Sequence, residues 1–197
     1  MFYRKLNKKF VVDHYTKKGK KIEYGMDTPM GFMGIQYSYV HTTSDEELLR
    51  VVPAKNRDDC TLSVMELNYK IPPHTDSDIE AIVNFYIKTD RCITQFYYPT
   101  DDPNAVADGV DTQTDGAVFH EGHLKKAVRF MAHDGDAYLL DVSKPHSVIP
   151  TSGSNMTDRK CICMQILYKS FDEAVEMLKE TGYNYQLQLL CNLRLDN

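Results

Sequence analysis

The sequence lacks a long apolar run. Nowhere do about 18 apolar residues follow one another, as a membrane-spanning helix requires. The N-terminal residues 1–10 are charged and lack the apolar stretch of about 7–15 residues that a secretory signal contains. We therefore expect a protein that is neither exported nor membrane-spanning and that works in the cytoplasm.

The sequence also lacks paired cysteines. The chain has 5 cysteines, an odd number, and none of them form the CxxC spacing typical of zinc sites. Cys161 and Cys163 are two positions apart in an apolar run, which places both on one face of a strand, where a free cysteine behaves as a small core residue. This usage suits a reduced cytoplasm.

Basic residues are not in excess. Lys and Arg number 23 against 28 Asp and Glu, giving a net charge of -5, which argues against a nucleic-acid backbone as the main partner.

A length of 197 residues with 42% hydrophobic and 26% charged residues is typical of one ordinary globular domain. We expect residues 1–60 to flank a barrel core at 61–168, followed by a C-terminal helix and tail at 169–197.

The middle of the chain has the composition of β-strands. Segments rich in Val, Ile, Tyr, Phe and Thr alternate with Pro, Gly, Asp and Asn, which predicts a mainly β barrel or sandwich with flanking helices. The predicted strands are 61–70, 79–89, 92–98, 127–131, 137–142 and 160–168. The polar stretch 99–122 between them is longer than most loops of compact domains.

Two capping boxes predict helices outside the strand region. Ser44 with Glu47 predicts a short helix that ends before Pro53, and Ser170 with Glu173 predicts a second helix that ends at Gly182 and packs on the barrel. The basic run 17–20 predicts a turn between two strands, or else a basic N-terminal arm.

His74, Asp76 and His146 are the candidate metal ligands. His74 and Asp76 are two positions apart on an extended segment, so their side chains point to the same side. His146 follows a strand-like apolar run and begins another strand. Two histidines and one carboxylate on one face of a metal leave positions open for a co-substrate and O₂, as in non-haem Fe(II) enzymes, whereas zinc would more often recruit a third His or a Cys.

Arg159 is the candidate anion-binding residue. It opens the strand-like segment 159–165, in which alternation places Arg159, Cys161, Cys163 and Gln165 on one face. The opposite face is the more apolar one, and we expect Arg159 to face the barrel interior. There its guanidinium can hold a carboxylate through two parallel hydrogen bonds.

Several motifs occur in the order typical of a known family. They are His74-x-Asp76, Asn84-Phe85-Tyr86-Ile87, Thr94-Gln95-Phe96-Tyr97, Gly135-Asp136-Ala137-Tyr138-Leu139-Leu140-Asp141, Pro145-His146-Ser147-Val148-x-Pro150, and Arg159. Between residues 61 and 168 the chain resembles the Fe(II)/2-oxoglutarate-dependent dioxygenases, most of all their prolyl-4-hydroxylase branch.

The resemblance implies a double-stranded β-helix, or jelly roll, that holds iron through His74, Asp76 and His146. Arg159 would anchor the distal carboxylate of 2-oxoglutarate, with Tyr86 and, less closely matched, Tyr69 in the same pocket. The implied activity is hydroxylation of an amino-acid side chain in a peptide or a free small molecule, using O₂, with ascorbate as a possible supporting reductant. The products from the co-substrate would be succinate and CO₂.

Two other functions fit the same pattern. A cupin-like metalloenzyme would have the same barrel without 2-oxoglutarate, and its activity would not depend on Arg159. A jelly-roll binding or structural protein would bind no metal.

Two further groups of polar residues carry no predicted chemistry. The group His120, Glu121, His123 lacks the spacing of a zinc protease, and we interpret it as a loop. We expect Asp141 to lie at the surface.

Overall fold

The fold was obtained as a computed structural model that describes residues 1–12, 14–29, 31–42, 45–76, 78–107 and 116–183. The strands, in chain order, are β1 Tyr3–Lys5, β2 Tyr15–Thr28, β3 Gly31–Thr42, β4 Cys60–Tyr69, β5 Ile71–His74, β6 Ala81–Lys88, β7 Cys92–Tyr97, β8 Lys126–Met131, β9 Ala137–Asp141, β10 His146–Pro150 and β11 Met156–Ile166. The α-helices are α1 Asp45–Leu49 and α2 Phe171–Glu180.

The strands form two antiparallel sheets. One has the order β1-β9-β6-β11-β4-β3-β2 and the other the order β5-β10-β7-β8. From β4 to β11 the chain alternates between the sheets, with β7 and β8 paired within the second, so the predicted jelly roll is confirmed as a double-stranded β-helix. All six strands predicted in the core are present, with ends shifted by a few residues.

The strands β9, β6, β11 and β4 of the first sheet are largely buried on both faces. On β11, Cys161 and Cys163 face the other sheet and join an interior cluster with Phe96 and Tyr138. Ile162 and Met164 face the opposite way, toward the helices. Period-two alternation therefore divides the apolar residues of one strand between two cores.

Helix α2 covers the outer face of the first sheet, as predicted. Its capping box is formed: Ser170 Oγ accepts from the Glu173 backbone N–H, and the Glu173 carboxylate accepts from the Ser170 N–H. Gly182 follows the helix with a φ of 77°, the left-handed conformation that glycine adopts readily. The predicted cap of α1, Ser44, lies outside the described residues, as do the tail at 184–197 and Cys191.

The N-terminal region differs from the sequence expectation. Strand β2 continues through Lys17 and Lys18 and pairs with β3, so the turn predicted at 17–20 is wrong. The pairing slips between Lys18 and Ile22, and Gly19 has a φ of 69°. The segment 17–20 thus contains a β-bulge, which inserts residues into one strand without reversing the chain.

The described parts of the long polar segment 99–122 lie beside the second sheet. The short 3-10 turn Pro103–Ala105 lies within the segment, and a second, Glu121–His123, lies at its end. Antiparallel bridges join Val106 to Phe119 and His74 to Val118. Residues 108–115 of this predicted loop lie outside the described residues. No helix in the described part of the chain is long and apolar enough to cross a membrane.

Candidate metal centre

His74 and Asp76 are fixed at the end of β5 by backbone hydrogen bonds on both sides. Thr75 N donates to Ala117 O at 2.9 Å, and Asp76 N donates to Val142 O at 3.0 Å. These two hydrogen bonds hold the backbone that carries the two side chains. His74 Nε2 and Asp76 Oδ1 are 3.4 Å apart.

His146 reaches the same point from β10. The antiparallel pairing of β10 with β5 sets His146 opposite His74, with ring centroids 4.3 Å apart, and places His146 Nε2 3.9 Å from Asp76 Oδ1. One potential ligand atom from each of the three residues lies within 4.8 Å of the others. The structure thus brings together the three residues that the sequence suggested.

Both imidazoles are oriented to offer Nε2 to a metal. His74 Nδ1 is 3.0 Å from Pro72 O, and His146 Nδ1 is 3.0 Å from Lys144 O. A carbonyl can only accept, so Nδ1 carries the proton in the neutral ring and Nε2 presents a lone pair. Metal-bound histidines are commonly held in this way, and the donor set fits a divalent ion with N/O preference.

The ionisation of the three groups reflects their mutual contact. Burial opposes charge on His74, but the hydrogen bond and charge of Asp76 outweigh burial and raise the pKa of His74. Burial likewise opposes charge on Asp76, but the two histidines hold its pKa below the ordinary value. Burial and the charge of His74 lower the pKa of His146 to about 4, so that this ligand is neutral at pH 7.

Arg159 lies inside the barrel and is only 2% exposed. Its Nη2 donates to Tyr86 Oη at 3.0 Å and to Thr94 Oγ1 at 3.2 Å, while Nη1 also donates to Thr94 Oγ1 at 3.2 Å. Within the described residues its Nε has no hydrogen-bond partner, and no carboxylate pairs with the guanidinium. A buried cation without a counter-charge is costly, which makes this a site suited to an anion.

The neighbouring lysine faces elsewhere. Lys160 Nζ lies 3.7 Å from both a Glu66 and an Asp158 carboxylate oxygen at the half-exposed outer face. Alternation along β11 thus distinguishes Arg159 from Lys160. Tyr86, a sequence candidate, is 2% exposed and in contact with Arg159.

Tyr69 is placed apart from this cluster. Its hydroxyl accepts from Asn155 Nδ2 at 3.2 Å, and its side chain lines a cavity beside His74. Sequence reasoning missed Thr94: the residue stands in one of the motifs above without an assigned role, yet it contacts Arg159 directly. The signal for this residue was its place in the motif Thr94-Gln95-Phe96-Tyr97.

Asp141 corrects a sequence expectation. It is 5% exposed at the end of strand β9, paired with Ala81, so it is not a surface residue. Ser143 Oγ donates to it at 2.6 Å, and burial raises the pKa of its carboxyl.

His120 and His123 are exposed at the short 3-10 turn, with His123 Nδ1 3.1 Å from Asp102 Oδ2, consistent with the loop interpretation.

The fold is a double-stranded β-helix, and two histidines and one aspartate converge within it. No protein-family model matches the sequence, and no curated protein sequence matches it significantly. Among solved structures, vicilin from Corylus avellana (hazelnut) is similar at 10% identity with a TM-score of 0.38, over 68% of this chain and 28% of the vicilin.

Two enzymes are similar at the same level. The non-haem α-ketoglutarate-dependent epimerase SnoN from nogalamycin biosynthesis has 12% identity and a TM-score of 0.36, over 74% of this chain and 67% of the epimerase. A mutant of Bacillus subtilis oxalate decarboxylase OxdC has 11% identity and a TM-score of 0.34, over 73% of this chain and 28% of the decarboxylase. This chain thus spans less than a third of the vicilin and decarboxylase chains. Such distant similarities assign no activity, and the prolyl-4-hydroxylase branch stays a prediction from the motifs.

Proposed function

We propose that this chain is an Fe(II)/2-oxoglutarate-dependent dioxygenase that hydroxylates its substrate. The observation that carries the proposal is the convergence of His74, Asp76 and His146 in a barrel that also buries Arg159 without a carboxylate partner among the described residues. A metal site alone would fit many cupin-like proteins. The uncompensated cation inside the same barrel adds a reason for an anionic co-substrate.

His74, Asp76 and His146 would hold iron on one side and leave the remaining positions free. When bound, the metal with 2-oxoglutarate and O₂ would supply the oxidising chemistry, releasing succinate and CO₂. The contribution of the chain is positional: the Nδ1 hydrogen bonds of both histidines fix their rings, and the backbone bonds around Asp76 fix its carboxylate.

Arg159 would bind the distal carboxylate of the co-substrate. Its two terminal nitrogens form the planar fork that matches a carboxylate, and Tyr86 and Thr94 hold that fork in place. Tyr86 would also offer a hydroxyl to the same anion. Tyr69, on the cavity side of His74, fits a substrate-facing position better than a co-substrate contact.

A cupin-like metalloenzyme without 2-oxoglutarate remains the alternative. It shares the barrel and the three ligands, and the buried Arg159 would then be a structural residue satisfied by Tyr86 and Thr94. Dependence of turnover on Arg159 separates the two functions.

The proposal is tested by succinate formation from 2-oxoglutarate with Fe(II), O₂ and ascorbate. We expect slow turnover by the native protein even without substrate, and none by His146→Ala. His133→Ala is the matched control, since His133 is exposed and outside the ligand cluster. Equal succinate formation by the native protein and His146→Ala, or its absence from both, contradicts the proposed function.

A further inference from the structure

A large cavity adjoins the metal centre. It has a volume of about 950 Å³ and lies between the β2–β3 hairpin and the end of β5, with His74 and Asp76 in its wall. Cavities of roughly 300–1,000 Å³ accommodate small organic molecules. Because two metal ligands form part of the wall, a molecule inside it has direct access to the metal centre.

The hairpin presents apolar side chains to this cavity in register. Met26 pairs with Met33, Tyr24 with Ile35, and Ile22 with Tyr37, and all six residues line the cavity. Directly paired residues project to the same face of a sheet. Aromatic and thioether side chains offer broad, polarisable surfaces suited to a ring system.

The cavity wall carries few charges. Among the described residues that line it, the acidic and basic side chains are Glu23, Lys70, His74 and Asp76. Glu23 Oε1 is already engaged by Lys21 Nζ and by Gln36 Nε2, each at 2.8 Å. Lys70 is exposed to solvent, and His74 and Asp76 belong to the metal centre. A multiply charged ligand would therefore lose its hydration without finding matching partners.

A peptide that adds a strand is disfavoured beside the metal. The outer edge of β5 is occupied by the segment 117–119: Phe119 N donates to Pro73 O at 2.8 Å, and Thr75 N donates to Ala117 O at 2.9 Å. Binding of an extended peptide as an added strand needs a free edge. A compact molecule that enters the cavity needs none.

One polar group in the wall is without a partner. Ser63 is 5% exposed and lines the cavity, and no described residue makes a hydrogen bond with its hydroxyl oxygen. Buried polar atoms are normally satisfied, so this hydroxyl suits a ligand that carries a hydroxyl or carbonyl group. Its position is on β4, opposite Tyr39 of the hairpin.

We propose that the substrate is a neutral small molecule with an apolar ring system and a hydroxyl or carbonyl group, bound between the β2–β3 hairpin and the metal centre. The ring system packs on Met26, Met33 and Tyr24, and the polar group meets Ser63. The assignment of this molecule as substrate rests on the proposed dioxygenase function, and it narrows the earlier expectation of a peptidyl or free amino acid to a small molecule.

Binding of N-phenyl-1-naphthylamine, a neutral probe that fluoresces in apolar sites, tests the proposal on the full chain without metal or 2-oxoglutarate. We expect saturable binding to the native protein. In Met26→Glu/Met33→Glu, which places two carboxylates in the wall, affinity should fall at least about 10-fold. Met131→Glu/Met156→Glu is the matched control, because both methionines are exposed and outside the lining; it should change affinity less than about 2-fold.

The single variant Met26→Glu covers the case in which the double variant does not fold, since Met26 is 61% exposed. This variant should also lower the affinity for the probe. Unchanged probe affinity in a folded wall variant, or no saturable binding by the native protein, overturns the proposal.

Displacement defines the ligand class. Naphthalene and 2-naphthol should displace the probe, with 2-naphthol the stronger by about 3- to 10-fold, the size of one ordinary hydrogen bond. Ser63→Ala should remove that difference. Stronger displacement by naphthalene-1,5-disulfonate or by an extended decapeptide overturns the assignment of a neutral small molecule.

A Co(II)-loaded sample links the cavity to the metal. 2-Naphthol should perturb the visible absorption of the bound Co(II), and an unperturbed spectrum at saturation overturns the placement beside the metal. Since probe binding is measured without turnover, absence of succinate formation would remove the dioxygenase function while leaving the binding result readable.

Discussion

His146 lies directly opposite His74 in the antiparallel pairing of β10 with β5, and their ring centroids are 4.3 Å apart. Directly paired residues project to one face of a sheet, so this register alone brings the later imidazole to the earlier one. A slip of one residue would turn His146 to the opposite face. The second sheet therefore determines whether a metal site exists at all.

Removal of Asp76 should abolish tight metal binding. In Asp76→Ala, only two imidazoles remain, and we expect Co(II) affinity measured by calorimetry to fall at least about 100-fold, since loss of a residue that merely orients a ligand already costs about 10–100-fold. Asp101→Ala, at an exposed carboxylate outside the ligand cluster, should bind Co(II) as the native protein does. Native-like affinity in Asp76→Ala would rule out this carboxylate as a ligand.

Arg159 should determine the affinity for 2-oxoglutarate. Arg159→Met removes charge-assisted hydrogen bonds worth about 1.5–3 kcal/mol, which corresponds to an increase of about 10- to 100-fold in KM for 2-oxoglutarate. Co(II) affinity should stay close to native, because the guanidinium is not a ligand. Arg129→Met, on the exposed face of β8, is the control. An unchanged KM would rule out Arg159 as the residue that binds the co-substrate.

The close pairing of β2 with β3, which forms the hairpin side of the cavity, should depend on Gly25 and Gly34. These two glycines face each other across the two strands. A Cβ at Gly34 would overlap the Tyr24 carbonyl oxygen and lie 2.8 Å from the Gly25 Cα. Gly34→Ala should therefore separate the strands, lower the free energy of unfolding by about 1–3 kcal/mol and weaken naphthylamine binding. Gly122→Ala is the control, since a Cβ there meets nothing within 4 Å. Chemical denaturation followed by circular dichroism measures the loss, and equal stability of the two variants would contradict it.

Asp136 should make stability depend on acid pH. Its carboxylate is 1% exposed and pairs with Lys5 Nζ at 2.9 Å and Lys9 Nζ at 2.5 Å, joining the N-terminal segment to the barrel. Burial alone would raise the pKa of Asp136, but the lysines and the His133 N–H outweigh burial and lower it. The folded-state pKa is below the unfolded value, so the stabilisation is present above about pH 4 and is lost as the pH falls through the folded-state pKa.

The matching experiment compares thermal unfolding of the native protein and Asp136→Asn between pH 3 and pH 7. We expect Asp136→Asn to be less stable by about 1–3 kcal/mol near neutral pH, with the difference shrinking toward pH 3. A difference that is constant over the whole range would show that the carboxylate charge is not its cause.

The sequence by itself determined the features that depend on neighbours in the chain. Alternation along β11 placed Arg159 on the interior face and Lys160 on the other, and the capping box at Ser170 began α2. Strand composition located the core strands, since side chains alternate with a period of two regardless of what the strand pairs with.

Only the tertiary structure decided what depends on pairing between distant segments. The approach of His146 to His74, the contact of Thr94 with Arg159 and the burial of Asp141 all follow from strand register and sheet order. The β2–β3 hairpin is a further case, because the segment 17–20, for which the sequence predicted a turn, forms a bulge instead. Local sequence fixes the direction of each side chain, whereas hydrogen bonding between strands decides which side chains meet.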